Sequence, residues 1–199
     1  MKVLVACEFS GVVREAFRKR GHDAWSCDLI SALDHSPYHL QCDVLTILED
    51  GWDMLLAFFP CDRLLGAGAL HWKKWRESGE QQRGISFALK LLNADIKKIA
   101  AENPVGILST VYRKPDQYIQ PWQFGHMEMK TTCLWLKNLP LLKPTNNVYA
   151  EMMKLPKRER ERVHHESPGV KNGLTRSQRR AICFNGWADA MAEQWGTIQ

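Results

Sequence analysis

Along the chain, continuous apolar runs alternate with segments of helical spacing. Residues 2–7 form a short run rich in valine, leucine and alanine, which predicts a buried β-strand. A turn containing Gly11 follows, and the spacing from Val12 to Arg20, closed by Gly21, predicts a helix. Strand, glycine-containing turn and helix in this order are typical of the opening of a nucleotide-binding α/β unit.

The same alternation continues through the first hundred residues. It predicts strands at 23–27, 53–58 and 97–101, a short strand-like unit at 42–45, an irregular loop up to about residue 79 and a helix over 80–95. Because strands and helices alternate, we expect a mostly parallel sheet with helices on both faces. The predicted fold class is therefore α/β.

Beyond residue 103 the pattern loosens. Residues 131–136 predict one more strand, 156–173 an exposed helical turn with a mobile loop, and 176–195 a helix. We find no internal repeat and no composition change that would mark a domain boundary. The interpretation is a single domain over 1–199.

Composition narrows the class of protein. The chain has 199 residues, of which 45% are hydrophobic and 25% charged, enough for a sizeable core and too apolar for a disordered tail. No uncharged apolar run reaches the length of a spanning helix, and the N-terminus does not resemble a secretory signal. The six cysteines lack the CxxC spacing of a zinc or redox motif. We expect free thiols in the cytoplasm, with no metal site and no membrane partner.

Charge is unevenly distributed along the sequence. Residues 1–60 carry 5 basic and 9 acidic side chains, residues 61–150 carry 13 and 7, and residues 151–199 carry 9 and 6. A basic remainder after an acidic first third is typical of a protein that meets a polyanion. An ordinary solvated surface is the alternative.

Polar residues stand at the predicted ends of successive strands. The turn at 8–11 follows the first strand, Asp28 ends the second, and Asp43 lies in the third short unit. In an open α/β sheet, ligands bind at these strand ends. A glycine turn allows close approach of the backbone, and a carboxylate can accept hydrogen bonds from ribose hydroxyls. The pattern favours an adenosine-type cofactor.

Two later strand ends carry candidate chemistry. Pro60 and Cys61 follow one apolar strand, and Glu102, Asn103 and Pro104 follow the next. A cysteine at such a turn is a candidate nucleophile, and a nearby glutamate could protonate a ring nitrogen.

These two motifs resemble the hallmark motifs of DNA (cytosine-5) methyltransferases, and the chain is similar to a compact phage- or prophage-type branch of that family. The resemblance also rests on Phe9-Ser10-Gly11 and on the segments 113–117, 120–125, 132–137 and 190–196. It implies a Rossmann-like class I fold that uses S-adenosyl-L-methionine. The implied halves are 1–60 for the cofactor and 61–150 for catalysis, followed by a basic C-terminal loop and helix at 151–199.

The resemblance also implies a role for each site residue. Cys61 would attack C6 of cytosine and Glu102 would hold or protonate N3. Asn103 and the proline turn would fix the position of Glu102. The cofactor would be bound by Phe9, Ser10, Gly11, Asp28, Asp43 and Pro60. Phosphates of DNA would be held by Arg63, Lys73, Lys74, Arg76 and Arg113. The loop after Cys61, with Gly66 and Gly68, is expected to be mobile and to close over a flipped base.

Two departures keep alternatives open. Phe59 stands where the family usually has a first proline, and Asp62 directly follows the nucleophile, where its charge would raise the cysteine pKa. A catalytically altered or silent DNA-binding or decoy protein is therefore one alternative. A modifier of free pyrimidine nucleotides is another. With about 50 residues after position 150, we expect a short or relaxed DNA target and make no prediction of oligomeric state.

Overall fold

The computed structural model describes residues 1–198, with the side chain of Ala67 left aside. The strands are β1 Lys2–Ala6, β2 Asp23–Asp28, β3 His39–Gln41, β4 Met54–Ala57, β5 Lys98–Pro104, β6 Gln117–Ile119 and β7 Thr132–Lys137. The α-helices are α1 Val12–Arg18, α2 Trp72–Glu77, α3 Glu80–Leu92, α4 Leu108–Val111, α5 Tyr149–Met152, α6 Lys157–Arg160, α7 Arg176–Ala181 and α8 Asn185–Trp195. Three 3₁₀ helices cover Val44–Thr46, Gly66–His71 and Pro121–Gln123.

One seven-stranded sheet organises the fold, in the order β3-β2-β1-β4-β5-β7-β6. The first five strands of the chain are parallel, whereas β7 runs antiparallel to both β5 and β6. The prediction of a Rossmann-like α/β fold with a mostly parallel sheet is confirmed. Strand order reverses between β1 and β4, and ligands of such sheets bind at the carboxyl edge beside this reversal.

Each face of the sheet has its own apolar core. On one face, α1 and α8 pack over the strands through residues such as Phe17, Trp187 and Trp195. On the other face, α3 packs through Ile85 and Leu91. Because both faces are covered, the central strands consist of nearly continuous apolar residues, which is why their positions were predictable from the sequence.

Three predicted elements differ from the structure. The strand expected at 42–45 lies earlier, at β3, and Val44–Thr46 is a 3₁₀ helix because the Asp43 side chain caps it, accepting from the Leu45 amide at 3.0 Å. The irregular loop after residue 61 contains the 3₁₀ helix Gly66–His71 and α2. The last helix is divided, since Ile182 and Phe184 are extended between α7 and α8.

Two arginines of α7 form hydrogen bonds and an ion pair with the polar segment 156–173, in which the sequence predicts a mobile loop. Arg179 contacts the Glu166 carboxylate at 3.1 Å and donates to the Leu174 and Ser167 carbonyl oxygens. Arg176 donates to the Glu166 carbonyl oxygen at 2.7 Å. These contacts fold residues 164–174 against α7.

Within the described residues, we find no helix that is long and apolar enough to cross a membrane.

Candidate active site

A cleft of about 300 Å³ opens at the carboxyl edge of the sheet. The cleft connects the ends of β1 and β2, which belong to the acidic first third of the sequence, to the ends of β4 and β5. Helix α7 forms a further wall. Its lining residues are Cys7, Phe9, Asp28, Ile30, Phe58, Phe59, Pro60, Cys61, Asp62, Glu102, Pro104, Lys130, Val163, Ser177, Gln178, Arg180, Ala181, Cys183 and Trp187. Phe9, Asp28 and Pro60 of the predicted cofactor residues therefore line one cavity. Cys61 and Glu102 of the predicted catalytic residues line the same cavity.

The turn between β1 and α1 is fixed by Glu8. This buried carboxylate accepts from the Val13 amide at 2.7 Å and from the Arg14 amide at 3.2 Å, so it satisfies amides that the first turn of α1 leaves free. Ser10 donates to it at 3.2 Å. Burial raises the pKa of Glu8 to about 7, although these hydrogen bonds oppose the rise.

Gly11 is required by the shape of this turn. Its φ is +75°, in the left-handed region. A Cβ at this position would also collide with the Arg14 guanidinium. Of the predicted cofactor loop, Phe9 lines the cleft, whereas Ser10 and Gly11 shape the turn behind it.

The two acidic residues predicted for the cofactor take different positions. Asp28 lines the cleft, and its Oδ1 accepts from the Ile30 amide at 3.2 Å, which leaves Oδ2 without a hydrogen bond to any described residue. Asp43 caps the 3₁₀ helix described above and is outside the cleft lining. Asp28 is therefore the better candidate for a ribose contact.

The turn that carries Cys61 is tied to the end of β5. Asn103 is fully buried and its Nδ2 donates to the Phe59 carbonyl oxygen at 3.2 Å, just before the Pro60 turn. The Cys61 carbonyl oxygen accepts from the Leu64 amide at 2.9 Å. Asn103 thus holds the ends of β4 and β5 in a fixed relation, whereas the family resemblance implies for it only that it fixes the position of Glu102.

The segments after these two turns also pair with each other. The Ile107 amide donates to the Leu64 carbonyl oxygen at 2.8 Å, and the Gly66 amide to the Val105 carbonyl oxygen at 2.9 Å. Gly106 lies so close that a Cβ there would collide with the Leu64 carbonyl oxygen. Gly66 and Gly68 sit in the 3₁₀ helix of this packed segment, whereas the sequence predicts that they belong to a mobile loop.

Cys61 lies among opposing charges. Burial raises the pKa of its thiol to about 11, with contributions from the Glu102 and Asp62 carboxylates, while Lys130 and Arg180 act in the opposite direction. At neutral pH the Cys61 side chain is therefore a thiol. Chemistry at Cys61 requires removal of nearby negative charge or transfer of its proton.

Glu102 faces the cleft with an unused oxygen. Its Oε1 is buried and has no hydrogen-bond partner among the described residues, and Lys130 Nζ lies 3.8 Å away from it. Lys130 also lies 5.7 Å from the centre of the Trp187 ring. A buried carboxylate oxygen without a hydrogen bond is costly unless a ligand in the cleft bonds to it, so Glu102 is poised for a ligand.

Sequence reasoning missed Lys130 and Arg180. Neither belongs to a recognisable motif, since Lys130 precedes β7 and Arg180 lies on α7, far along the chain from Cys61. The buried Arg180 Nε has no hydrogen-bond partner among the described residues. A basic residue beside a predicted strand was the one available signal.

The predicted phosphate contacts divide into two groups. Lys73, Lys74 and Arg76 are exposed on α2, while Arg63 is paired with Glu80 at 2.6 Å. Arg113 is outside the cleft lining: its guanidinium pairs with Asp116 at 2.8 Å and donates to the Leu136 carbonyl oxygen at 3.0 Å. The exposed side chains of α2 remain candidates for DNA.

Arg113 is a poor candidate because its donors are occupied at the far side of β7. Leu136 pairs with Ala100, whereas Glu102 pairs with Leu134 nearer the cleft. The register therefore sets Arg113 back from the strand ends that carry the candidate chemistry.

Comparison with known proteins gave one kind of match. No protein-family model and no curated protein matches the sequence. Among solved structures, the chain is similar to the crystal structure of a proposed DNA modification methyltransferase encoded within an E. coli prophage, at 16% identity and a TM-score of 0.49. The match covers 78% of this chain and 55% of that chain, so this chain spans about half the length of that protein. A structural similarity at this level gives no information on the substrate or the site residues of this chain.

Proposed function

We propose that the protein methylates C5 of cytosine in DNA, with S-adenosyl-L-methionine as the methyl donor and Cys61 as a covalent nucleophile. One observation carries the proposal: a single cleft is lined by the glycine-turn end of β1, by Asp28, by Cys61 and by Glu102. A nucleoside cofactor and a base could therefore meet there. The sequence motifs at the same positions support the assignment.

The described residues fit the cofactor. Asp28 Oδ2 is free to accept from ribose hydroxyls, and Ile30, 39% exposed, gives apolar surface beside it for an adenine ring. Phe9 and Pro60 add apolar lining towards the nucleophile. The volume of about 300 Å³ is at the lower end for small-molecule sites. When bound, S-adenosyl-L-methionine supplies an electrophilic methyl group.

The residues of the chain account for the remaining proton and bond changes. Glu102 takes the proton of Cys61, so a thiolate stands beside a neutral carboxyl group, and the carboxylate that raised the pKa of the thiol is gone. Sγ then bonds to C6 of the cytosine while Glu102 passes the proton to N3. After C5 is methylated, its own proton leaves to solvent. The bond between C6 and Sγ then breaks as Glu102 takes back the proton of N3. Transfer of that proton to the released Cys61 thiolate restores the free enzyme, with a thiol and a carboxylate.

Two cations assist this sequence. Lys130 and Arg180 both favour the thiolate of Cys61. Lys130 also lies 3.8 Å from Glu102, where it can balance that carboxylate before the base enters. In a duplex the target base must be flipped out of the stack to reach this cleft.

The test is transfer of radiolabelled methyl from S-adenosyl-L-methionine to duplex DNA by purified protein. We expect label in cytosine, and a protein–DNA adduct with DNA containing 5-fluorocytosine, because fluorine at C5 blocks the last elimination. Cys61→Ser should abolish both, and Cys42→Ala, a thiol outside the cleft lining, should retain both. Free cytidine nucleotides in place of DNA test the nucleotide-modifying alternative. Absence of label from both DNA and free nucleotides would refute methyl transfer.

The raised pKa of Cys61 and the neighbouring Asp62 favour a second candidate, a DNA-binding protein without catalysis. Such a protein would bind DNA equally well after Cys61→Ala, with affinity falling steeply as salt rises. Any turnover of the cofactor would exclude it.

A further inference from the structure

A buried cation lies beneath the glycine turn of the cleft. The Arg14 side chain is 0% exposed. Its Nη1 donates to Ser26 Oγ at 2.7 Å, its Nε pairs with Glu15 at 2.9 Å, and its Nη2 pairs with Asp34. Taking a charge out of water is costly unless it is paired and hydrogen-bonded. The contacts join α1 to β2 and to the segment after β2, and the proposed chemistry does not use them.

The hydrogen bonds continue in one direction from this cation. Ser26 Oγ lies 2.8 Å from His39 Nδ1, and His39 Nε2 lies 2.9 Å from the Ile30 carbonyl oxygen. A carbonyl oxygen only accepts, so Nε2 carries the hydrogen. In neutral His39, Nδ1 then accepts from the Ser26 hydroxyl, whose oxygen remains free to accept from Arg14. This tautomer satisfies every group in the series from Arg14 to Ile30.

The series ends at the cleft. Ile30 lines the cavity, and its amide donates to Asp28, which lines it as well. The same segment is held from the other side, because the Leu33 amide donates to the Phe9 carbonyl oxygen at 2.9 Å. The turn that carries Asp28 and Ile30 is therefore fixed both by its own backbone and by the buried series.

We propose that Arg14, Ser26 and His39 are positioning residues for the nucleoside end of the cofactor. They act through the turn after β2, fixing the Asp28 carboxylate for the ribose and the Ile30 side chain for the purine. None of the three lines the cleft. The inference rests on the proposed use of S-adenosyl-L-methionine.

The test compares Ser26→Ala, His39→Ala and the double variant with wild type, and uses Ser31→Ala, an exposed serine of the same segment, as the matched control. Calorimetry with S-adenosylhomocysteine should show Kd about tenfold higher for each single variant and unchanged for the control. Because the groups act in series, the double variant should bind no more weakly than either single variant. Wild-type affinity in both single variants would overturn the inference.

Kinetics separate positioning from general destabilisation. A positioning role raises KM for S-adenosyl-L-methionine and leaves kcat at saturation and KM for DNA unchanged. Loss of folded protein would instead lower kcat with both KM values unchanged, and that result would overturn the inference. His39 is half-buried, so His39→Ala keeps the test available should Ser26→Ala fail to fold.

A ligand-free measurement separates this inference from the proposed function. Failure of wild type to bind S-adenosylhomocysteine would overturn the proposed cofactor. Hydrogen exchange on the free protein still tests the series: residues 29–38 should exchange at least about tenfold faster in Ser26→Ala than in wild type, while α3 stays unchanged. Equal exchange of residues 29–38 in both proteins would overturn the positioning role.

Discussion

At the scale of single residues, the reactivity of the cleft depends on the charges around one thiol. Burial and two carboxylates raise the pKa of Cys61, and two cations lower it. Glu102 is needed for the proposed proton transfer, whereas Asp62 contributes only an unfavourable charge. Phe59, the other departure from the family pattern, is explained by packing, since it is 3% exposed and belongs to the core under α3.

Replacing Asp62 should therefore activate the thiol. In Asp62→Asn we expect the Cys61 pKa to fall and its alkylation by iodoacetamide at pH 8 to accelerate about three- to tenfold, because one pKa unit changes the thiolate fraction tenfold. Peptide-resolved mass spectrometry distinguishes Cys61 from the other five cysteines. Asp95→Asn, exposed before β5, is the control. An unchanged rate in Asp62→Asn would contradict the electrostatic account.

At the scale of elements, the site depends on how the strand ends are joined to neighbouring helices and strands. Glu8 joins β1 to α1, and Asn103 joins β5 to β4. Backbone pairing around Gly106 then continues the second junction away from the sheet.

Glu8 should make stability depend on pH. Its pKa is about 7 in the folded protein against 4.5 for the ordinary group, so the folded state binds more protons between these values. Its stabilising contribution is full below pH 4.5 and declines by about 3 kcal/mol as pH rises through 7. Denaturant unfolding at pH 5 and pH 8 should show this decline in wild type and in the exposed control Glu77→Gln, and not in Glu8→Gln. A parallel decline in Glu8→Gln would assign the effect elsewhere.

Alanine substitutions at two glycines should have opposite effects on the stability of the protein. Gly106→Ala should destabilise the protein by about 1–3 kcal/mol and lower methyl transfer, because the added methyl collides with the Leu64 carbonyl oxygen. Gly84→Ala, within α3 and at ordinary contact distances, should stabilise by about 0.5–1 kcal/mol. Thermal unfolding measures both. A harmless Gly106→Ala would show that the two segments after β4 and β5 need not be paired.

Elements whose identity is decided locally were predictable from the sequence. The buried strands β1, β4 and β5 show as apolar runs, and the motifs at their ends placed Cys61, Glu102 and Asn103. Contacts distant in sequence were not predictable. The break between α7 and α8 accompanies Phe184, which packs 4.9 Å from Trp187 and 5.0 Å from His126 by ring centres, and no local pattern encodes that packing.

At the scale of the whole molecule, the fold joins the two charge regions of the sequence. The acidic first sixty residues supply β1, β2 and the candidate cofactor turn, and the basic remainder supplies Lys130, α7 and α2. Lys130 and Arg180 reach Cys61 only because β7 and α7 come back to the carboxyl edge of the sheet. The charge counts along the chain predicted a polyanionic partner, but they could not show which basic side chains reach the cleft.

We predict that the exposed lysines of α2 contact the phosphates of DNA. Replacing Lys73 and Lys74 by alanine should weaken binding to all sequences alike and reduce the steepness of log Kd against log salt by about 0.9 for each phosphate that is no longer neutralised. Fluorescence anisotropy over a salt series measures this slope. The control Lys90→Ala/Lys97→Ala removes two exposed lysines, one near the end of α3 and one just before β5. Equal slopes for all three proteins would exclude α2 from the DNA surface.

The central claim, methylation of cytosine through Cys61, is tested most directly by nucleoside mass spectrometry of DNA from cells that express the protein. The account predicts 5-methyldeoxycytidine above the level of cells lacking the protein, and its loss in cells that express Cys61→Ser at equal abundance. Unmodified cytosine with the wild-type protein, or the same level of 5-methyldeoxycytidine with Cys61→Ser, would contradict it.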